Sequence, residues 1–200
     1  MGYGVVMARE TATQSTATEL LKQQHEQVKR MFGEFDQSTG EQRQEVFDCL
    51  RATLAMHETA EEMIIYPETR HLGDAADGIV KARLEEESEA KKVLADLEKL
   101  GVDGDGFTEK FASFRAAVLQ HAEAEETQVF TLLDAKLDEQ KLREMADTIL
   151  VAESVAPTHP HPHGPESGLG NVLIGPFVAL VDKVRDKIAE HQKQRSHSTH

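Results

Sequence analysis

The sequence predicts an all-α protein: an antiparallel up-down four-helix bundle with a C-terminal extension containing an additional helix. Composition is the first reason, since the 200 residues contain no Trp, 5% aromatic residues and six Pro. Such a chain has few strand formers and few helix breakers. Periodicity is the second reason, because apolar residues recur at three-and-four spacing in four successive segments, the spacing of one helix face.

The first two helices are predicted over residues 16–35 and from residue 41 to about residue 66. Pro67 is expected to end or kink the second helix, because the residue before a proline is pushed out of the helical region. The predicted inward face of the first helix is Leu21, His25, Val28, Phe32 and Phe35, and that of the second is Val46, Leu50, Thr53, His57, Glu61 and Ile64 or Ile65.

The third helix is predicted over residues 79–100, after a loop at 73–78, and the fourth over residues 108–133. Gly101 should end the third helix, because residues 101–106 contain three Gly and two Asp. Residues 137–152 are predicted to form a further short helix. The predicted inward faces are Val80, Arg83 or Leu84, Glu87, Ala90 or Lys91, Leu94 and Leu97 in the third helix, and Phe111, Phe114, Val118, His121, Glu125, Gln128 and Leu132 in the fourth.

These helices suggest four regions. Residues 1–15 are interpreted as a disordered N-terminal lead-in, 16–152 as the bundle, 153–170 as a Pro/His/Gly-rich linker, and 171–200 as a C-terminal amphipathic helix with a polar tail. The linker contains His159, His161 and His163 alternating with Pro, which favours a stiff spacer over a metal-binding tract. The last helix is expected to dock on the bundle.

Charge and composition limit the partners and the compartment. The net charge of −14 repels phosphate backbones and anionic lipid, so nucleic acid and membrane surfaces are poor partners. No apolar run reaches the ~18 residues of a membrane span, so no stable membrane insertion is expected. The one cysteine, Cys49, is interpreted as a small packing residue. It cannot form an internal disulfide, and with no secretory signal the chain is expected to be cytoplasmic.

Ligand-type residues interrupt each of the four apolar faces near its middle. Buried together, such imidazoles and carboxylates are costly unless a cation compensates them. Imidazole with carboxylate suits iron, manganese or zinc, and bundle cores hold carboxylate-bridged two-metal sites. No catalytic residues are predicted beyond these six candidate metal ligands: His25, His57, Glu61, Glu87, His121 and Glu125.

An internal repeat strengthens the metal-site prediction. His57 and His121 each begin the pattern His-x-x-x-Glu-Glu, followed by three residues and then an aromatic residue, Tyr66 or Phe130. A duplicated helix hairpin would give a pseudo-symmetric two-metal site, with Glu61 and Glu125 bridging. The alternative is that these charges face solvent, as one such pair on a helix usually does.

The pattern resembles the hemerythrin-like, or His-His-Glu cation-binding, family over roughly residues 16–150. Tyr66-Pro67, closing the stretch from His57, is similar to that family's second-helix signature. The resemblance implies a four-helix bundle holding two non-haem iron ions with an oxo or hydroxo bridge. The third helix departs from the family, since no His lies between His71 and His121. Glu87 is the predicted replacement; alternatively Glu85, Glu86 and Glu87 all face solvent.

A ligand set of three histidines and three carboxylates is expected to stabilise ferric iron, because carboxylates are anionic. Reversible oxygen carriage, which must regain ferrous iron, is therefore not favoured. The hypothesis is therefore a centre that decomposes peroxide, in the manner of a catalase or peroxidase, or reacts with nitric oxide during oxidative or nitrosative stress. A redox partner would supply electrons. The alternatives are an oxygen- or nitric-oxide-binding sensor without turnover, and an iron-handling protein. Glu62 and Glu126 are interpreted as supporting or surface groups. Tyr66 is interpreted as a core residue, with a place near the metal site as the alternative.

Overall fold

The computed structural model describes residues 15–155, and this part of the chain is helical throughout apart from short connections. The helices are α1 (Ala17–Gln37), α2 (Gly40–Ala60), α3 (Tyr66–Arg70), α4 (Asp74–Leu100), α5 (Phe107–Ala124), α6 (Thr131–Lys136) and α7 (Glu139–Val155). Two π-helical segments, π1 (Glu61–Ile65) and π2 (Glu125–Phe130), join α2 to α3 and α5 to α6 without a break. The predicted helical bundle with a following helix is confirmed.

The first helix begins at a capping box. The Thr16 hydroxyl accepts a hydrogen bond from the Glu19 backbone N–H at 3.3 Å, and the Glu19 carboxylate accepts one from the Thr16 N–H at 2.9 Å. Two N–H groups that the helix itself leaves unpaired are thus satisfied. The five residues predicted for the inward face of α1 are all buried, which sets His25 toward the centre of the bundle.

The predicted helix end at Pro67 is wrong, because helical structure continues to Arg70. Proline lies here in the first turn after π1. In a first turn its missing N–H is not needed and its fixed φ angle suits the helix. The wide π turn before it thus lets the chain pass a proline that would otherwise stop the helix.

The predicted loop at 73–78 is also wrong, since α4 begins at Asp74. Gly73 precedes it with a φ of 126°, a conformation that favours glycine. Asp74 and Asp77 occupy the first helical turn, where their negative charge is stabilised by the helix dipole. The acidic residues that suggested a loop in the sequence therefore form the first turn of α4. The predicted end at Gly101 is confirmed.

The second π segment shifts the inward face of the fourth bundle helix by one position. Gln128 is exposed and Leu132 half-buried, whereas Val129 and Leu133 are fully buried. A π turn contains an additional residue, so a constant helical period places the later residues one position too early. The prediction for Gln128 and Leu132 was wrong for this reason.

The apolar core forms two clusters on either side of the ligand-type residues. One, rich in Phe, contains Phe32, Phe35, Phe47, Phe107, Phe111 and Phe114. The other contains Leu21, Ile65, Tyr66, Phe130 and Leu133, and α7 covers it with Leu142, Met145 and Ile149. The ligand-type residues therefore lie in a layer between two apolar layers.

Three further predictions concern Cys49, membrane insertion and the two ends of the chain. Cys49 is exposed, so its predicted packing role is wrong. No helix within the described residues is long and apolar enough to cross a membrane. The N-terminal lead-in, the His-Pro tract and the C-terminal amphipathic helix lie outside the described residues, apart from residue 15.

Candidate metal centre

All six predicted ligand residues meet in the layer between the two apolar clusters. They form two overlapping groups, in each of which the ligand-type atoms lie within 4.8 Å of one another. Both groups contain Glu61 and Glu125. His25 and His57 complete the first group, and Glu87 and His121 complete the second.

The two His-x-x-x-Glu motifs occupy equivalent places in the fold. His57 lies in the last turn of α2 and His121 in the last turn of α5, and in each case the glutamate begins the π segment. Residues four apart on a helix share a face, so each histidine lies beside its own carboxylate. Both glutamates are 0% exposed. Such π segments are frequent at functional sites.

The distances between the facing atoms suit a shared cation. His25 Nε2 lies 3.0 Å from His57 Nε2 and 3.4 Å from Glu125 Oε2, and His57 Nε2 lies 3.2 Å from Glu61 Oε1. Two donors at about 2.1 Å from one ion, placed at right angles, would lie about 3.0 Å apart. On the other side, His121 Nε2 is 3.5 Å from Glu125 Oε2 and 4.0 Å from Glu87 Oε1.

Several buried polar atoms at the centre of the cluster have no hydrogen-bond partner. They are both carboxylate oxygens of Glu61, Oε2 of Glu125 and Nε2 of His121. A buried unpaired polar atom costs free energy, and an unpaired buried charge costs far more. Cations between these atoms would satisfy them, so the residues present fit a metal site to which Glu61 and Glu125 would both contribute.

The other ring nitrogen of each histidine is held from outside the cluster. His25 Nδ1 lies 2.9 Å from Glu126 Oε1, His57 Nδ1 lies 2.8 Å from Gln24 Oε1, and His121 Nδ1 lies 2.8 Å from Glu86 Oε2. In metal sites such acceptors fix the tautomer, so that Nε2 carries the free lone pair. Glu126 thus has the supporting position that the sequence suggested, whereas the contacts of Gln24 and Glu86 were not predicted.

Tyr66 belongs to this site as well as to the core. It is 1% exposed, and its hydroxyl oxygen lies within hydrogen-bond distance of two carboxyl oxygens, 2.5 Å from Glu87 Oε1 and 2.6 Å from Glu125 Oε1. The interpretation as a core residue is therefore incomplete, and the alternative place near the site is where its hydroxyl lies. The repeat contained the signal, because Tyr66 and Phe130 each follow their glutamate by five residues, and the Phe130 ring stacks on His25 with centroids 5.6 Å apart.

Glu87 is 2% exposed and points into the cluster. Of its neighbours, Glu85 is exposed and Glu86 is half-buried against His121. The alternative that all three glutamates face solvent is therefore wrong. Lys91 lies one turn beyond, with Nζ at 3.5 Å from Glu87 Oε2 and 2.6 Å from Glu62 Oε1. This ammonium group partly offsets the negative charge on that side of the site.

Without metal, the carboxyl groups cannot all ionise. Burial raises the pKa of Glu61 well above its usual range, with nearby Glu125 and Glu87 adding to the effect, and burial raises the pKa of Glu87 to about 9. Burial would raise the pKa of Glu125 too, but the neighbouring imidazoles of His25, His121 and His57 lower it to about 2. Cations would replace the protons on Glu61 and Glu87.

The pKa values of His57 and His25 are also shifted in opposite directions. Burial and the neighbouring His25 lower the pKa of His57 to about 3. Burial also acts to lower the pKa of His25, but Glu125 and Glu126 outweigh it and raise that pKa above its usual value. His57 is therefore a neutral imidazole at physiological pH, the form that binds a metal.

A cavity of about 470 Å³ opens from the cluster between α4 and α5. His57, Glu87 and His121 lie at its inner end, and apolar residues such as Val93 and Phe114 line its wall. Molecules from solvent can thus reach the ligand-type residues from one side of the bundle.

Comparison with known proteins identifies a hemerythrin-like relative and a second, longer relative. The chain is 25% identical over 154 residues to an uncharacterised hemerythrin-like protein of Schizosaccharomyces pombe, covering 76% of this chain and 73% of that protein. It is also 25% identical over 137 residues to a Nostoc protein named DNA nickase, covering 68% of this chain but only 38% of that protein. No solved structure matches.

The family model described as the hemerythrin HHE cation binding domain matches residues 16–133. This range is more than half of the chain and contains all six residues of the cluster together with Tyr66. The chain therefore belongs to the hemerythrin HHE cation-binding family.

Proposed function

We propose that the protein binds two iron ions between its helices and uses them to react with peroxide. The observation that carries this proposal is the pair of overlapping residue groups that share Glu61 and Glu125. His25 and His57 would complete the ligands of one ion, and Glu87 and His121 those of the other. The bound iron pair would supply electron exchange with small oxidants, which no side chain at the site can supply.

The ligand set favours a reaction with an oxidant such as peroxide over the reversible binding of oxygen. Three of the six candidate ligands are carboxylates, and anionic ligands stabilise the ferric state. The two bridging glutamates are fully buried, so their charge acts in a low dielectric. The protein's own residues orient the ligands through Glu126, Gln24 and Glu86 and exclude bulk water with the apolar layers on both sides.

The entrance also favours a neutral oxidant. Glu85 and Glu89 line the cavity and are exposed, so they repel anions and leave hydrogen peroxide or nitric oxide unhindered. The net charge of −14 gives no support to an activity on DNA. A role in oxidative or nitrosative stress in the cytoplasm, with a separate protein as electron donor, follows from this proposal.

The first test is the iron content and near-ultraviolet spectrum of the purified protein after anaerobic loading with ferrous iron and exposure to air. If each residue group takes one ion, wild type should hold about two irons per chain and show oxo-to-iron absorption. Glu87→Ala should hold less iron and have altered bands. Glu98→Ala is the matched control, since Glu98 is exposed on the same helix and does not line the cavity, and should behave like wild type.

The second test is consumption of hydrogen peroxide by the loaded protein. Sustained consumption, reduced in Glu87→Ala, supports an enzyme. Full iron loading with a single stoichiometric reaction would instead favour a binding or sensing module, and this outcome would overturn the proposed activity. A protein that stays metal-free after loading would overturn the metal site itself.

A further inference from the structure

The cavity between α4 and α5 is much larger than hydrogen peroxide needs. We propose that it is a binding site for a neutral, apolar organic molecule, and that an organic hydroperoxide with an apolar body is the substrate class of the neighbouring site. The second part rests on the proposed function, whereas the first part concerns only the residues of the cavity.

Size is the first argument. The cavity measures about 470 Å³, whereas a molecule as small as water occupies only about 30 Å³ of liquid volume. Pockets for organic ligands typically measure roughly 300–1,000 Å³. A site that served only hydrogen peroxide or a diatomic gas would leave most of this space to water beside an apolar wall, which is unfavourable.

The arrangement of polar and apolar residues is the second argument. Four residues of the cluster line the cavity: His25, His57, Glu87 and His121. The apolar residues of its lining include Val28, Leu54, Ala90, Val93, Phe114 and Val118. A molecule with a polar end and an apolar body would place the polar end beside the cluster. Its body would then cover apolar surface that otherwise contacts water, with a gain of about 25 cal/mol per Å² buried.

Charge is the third argument. No Lys or Arg is among the residues that line the cavity, whereas Glu58, Glu85, Glu86 and Glu89 are. Carboxylate or phosphate ligands would lack a cationic partner and would be repelled. A hydroperoxide group is neutral and can both donate and accept hydrogen bonds, so it suits this lining.

The overall reaction of such a substrate balances with a thiol as reductant. Two thiols are oxidised to one disulfide and release two electrons and two protons. The hydroperoxide takes these up as its O–O bond breaks, and it becomes an alcohol and water. The alcohol product has the shape of the substrate but is unreactive. It therefore serves as a probe that reports binding alone.

The test is calorimetric titration with 2-phenyl-2-propanol, the alcohol derived from cumene hydroperoxide, on both metal-free and iron-loaded protein. The cavity-filling variant is Ala117→Phe. Ala117 lies on the cavity wall one turn before His121, and helical side chains lean toward the N-terminus, so the new ring should enter the cavity and not the cluster. Ala112→Phe is the matched control, because Ala112 is also exposed on α5 but does not line the cavity.

We expect saturable binding to wild type and to Ala112→Phe, and binding weakened more than about tenfold in Ala117→Phe, since the ring would displace most of the probe's buried contacts. Phenylacetate, an anion of similar size, should bind more weakly than the alcohol. Absence of binding to wild type, equal binding to Ala117→Phe, or preference for phenylacetate would each overturn the inference.

The experiments distinguish a failure of the cavity inference from a failure of the proposed function. If the loaded protein consumes hydrogen peroxide but does not bind the alcohol, the cavity inference is wrong and the proposed function stands. If the alcohol binds and neither hydrogen peroxide nor cumene hydroperoxide is consumed, the binding site stands and the proposed function is wrong. Faster consumption of cumene hydroperoxide than of hydrogen peroxide, lost in Ala117→Phe, would support both.

Discussion

The orientation of each histidine depends on one hydrogen bond from outside the cluster. The acceptor for His25 is Glu126, at 2.9 Å from Nδ1, and that carboxylate follows Glu125 directly in the chain. One π segment therefore provides both a candidate bridging ligand and the support for a histidine on another helix. Removing such a support leaves the ligand present but free to rotate or change tautomer.

Glu126→Ala should weaken metal binding without abolishing it. We expect an affinity loss of about 10- to 100-fold, the usual effect of removing an outer partner of a metal-bound histidine, measured by competition with a chelator. Glu123→Ala is the control, because Glu123 is exposed one turn earlier on the same helix. Equal affinities for the two variants would show that Glu126 does not position His25.

At the residue scale, the sequence predicted the residues that interrupt an apolar face but not those that reach the site from elsewhere. Gln24 and Glu86 each stand next to a predicted ligand in the chain and bond to a histidine on a different helix. Helical spacing describes one helix at a time, so it contains no information on such pairs. Tyr66 was assigned to the core because an aromatic residue on an apolar face usually packs there.

At the element scale, the two π segments explain most of the differences between the predicted and observed helices. A helical period of 3.6 residues assumes a constant turn, so it could place Glu61 and Glu125 correctly but not the residues after them. The same wide turn accommodates Pro67, which in an ordinary helix would break it. Helix starts differed for another reason: Asp74 and Asp77 are compatible with both a loop and the first turn of a helix.

The capping box of α1 should contribute stability without influencing the metal centre. Thr16→Ala removes the acceptor for the Glu19 N–H, and loss of such a cap costs about 1 kcal/mol of unfolding free energy. We expect this loss in urea denaturation of the iron-loaded protein, with iron content unchanged because His25 lies more than two turns away. Gln23→Ala, an exposed position on the same helix, should change stability by less than about 0.5 kcal/mol. A matching loss in this control would show that the cap contributes nothing specific.

At the scale of the whole molecule, the polar layer between two apolar clusters links folding to protonation and to metal. Glu61 and Glu125 are fully buried, and the Lys91 ammonium group contacts Glu58, Glu62 and Glu87 on one side of this layer. The metal-free fold must therefore keep protons on some of the carboxyl groups. A bound metal would remove that requirement and stabilise the folded state by mass action.

The metal-free protein should lose stability as the pH rises from 6.5 to 9. Burial raises the pKa of Glu87 to about 9 and that of Glu58 to about 7, and raises the pKa of Glu61 well above its usual range. Above pH 6.5 the folded chain therefore holds protons that the unfolded chain has already released. The unfolding free energy then falls with pH, by up to about 1.4 kcal/mol per pH unit for each proton held.

The opposite slope is expected in acid, so the two effects can be separated. Below about pH 4.5 the unfolded carboxyl groups are protonated as well, so the carboxyl groups with a raised pKa no longer contribute to the slope. The pKa of His57 is lowered to about 3 and that of Glu125 to about 2, so stability should fall as the pH drops below about 4.5. Urea denaturation at several pH values in the presence of a chelator measures both the acid and the alkaline slope.

Glu87→Gln should flatten the alkaline slope, because a neutral amide has no proton to lose. Iron loading should flatten or reverse the same slope. Metal-free stability that stays constant or rises between pH 6.5 and 9 would mean that the carboxylates are compensated within the protein, and a major argument for the metal pair would be lost.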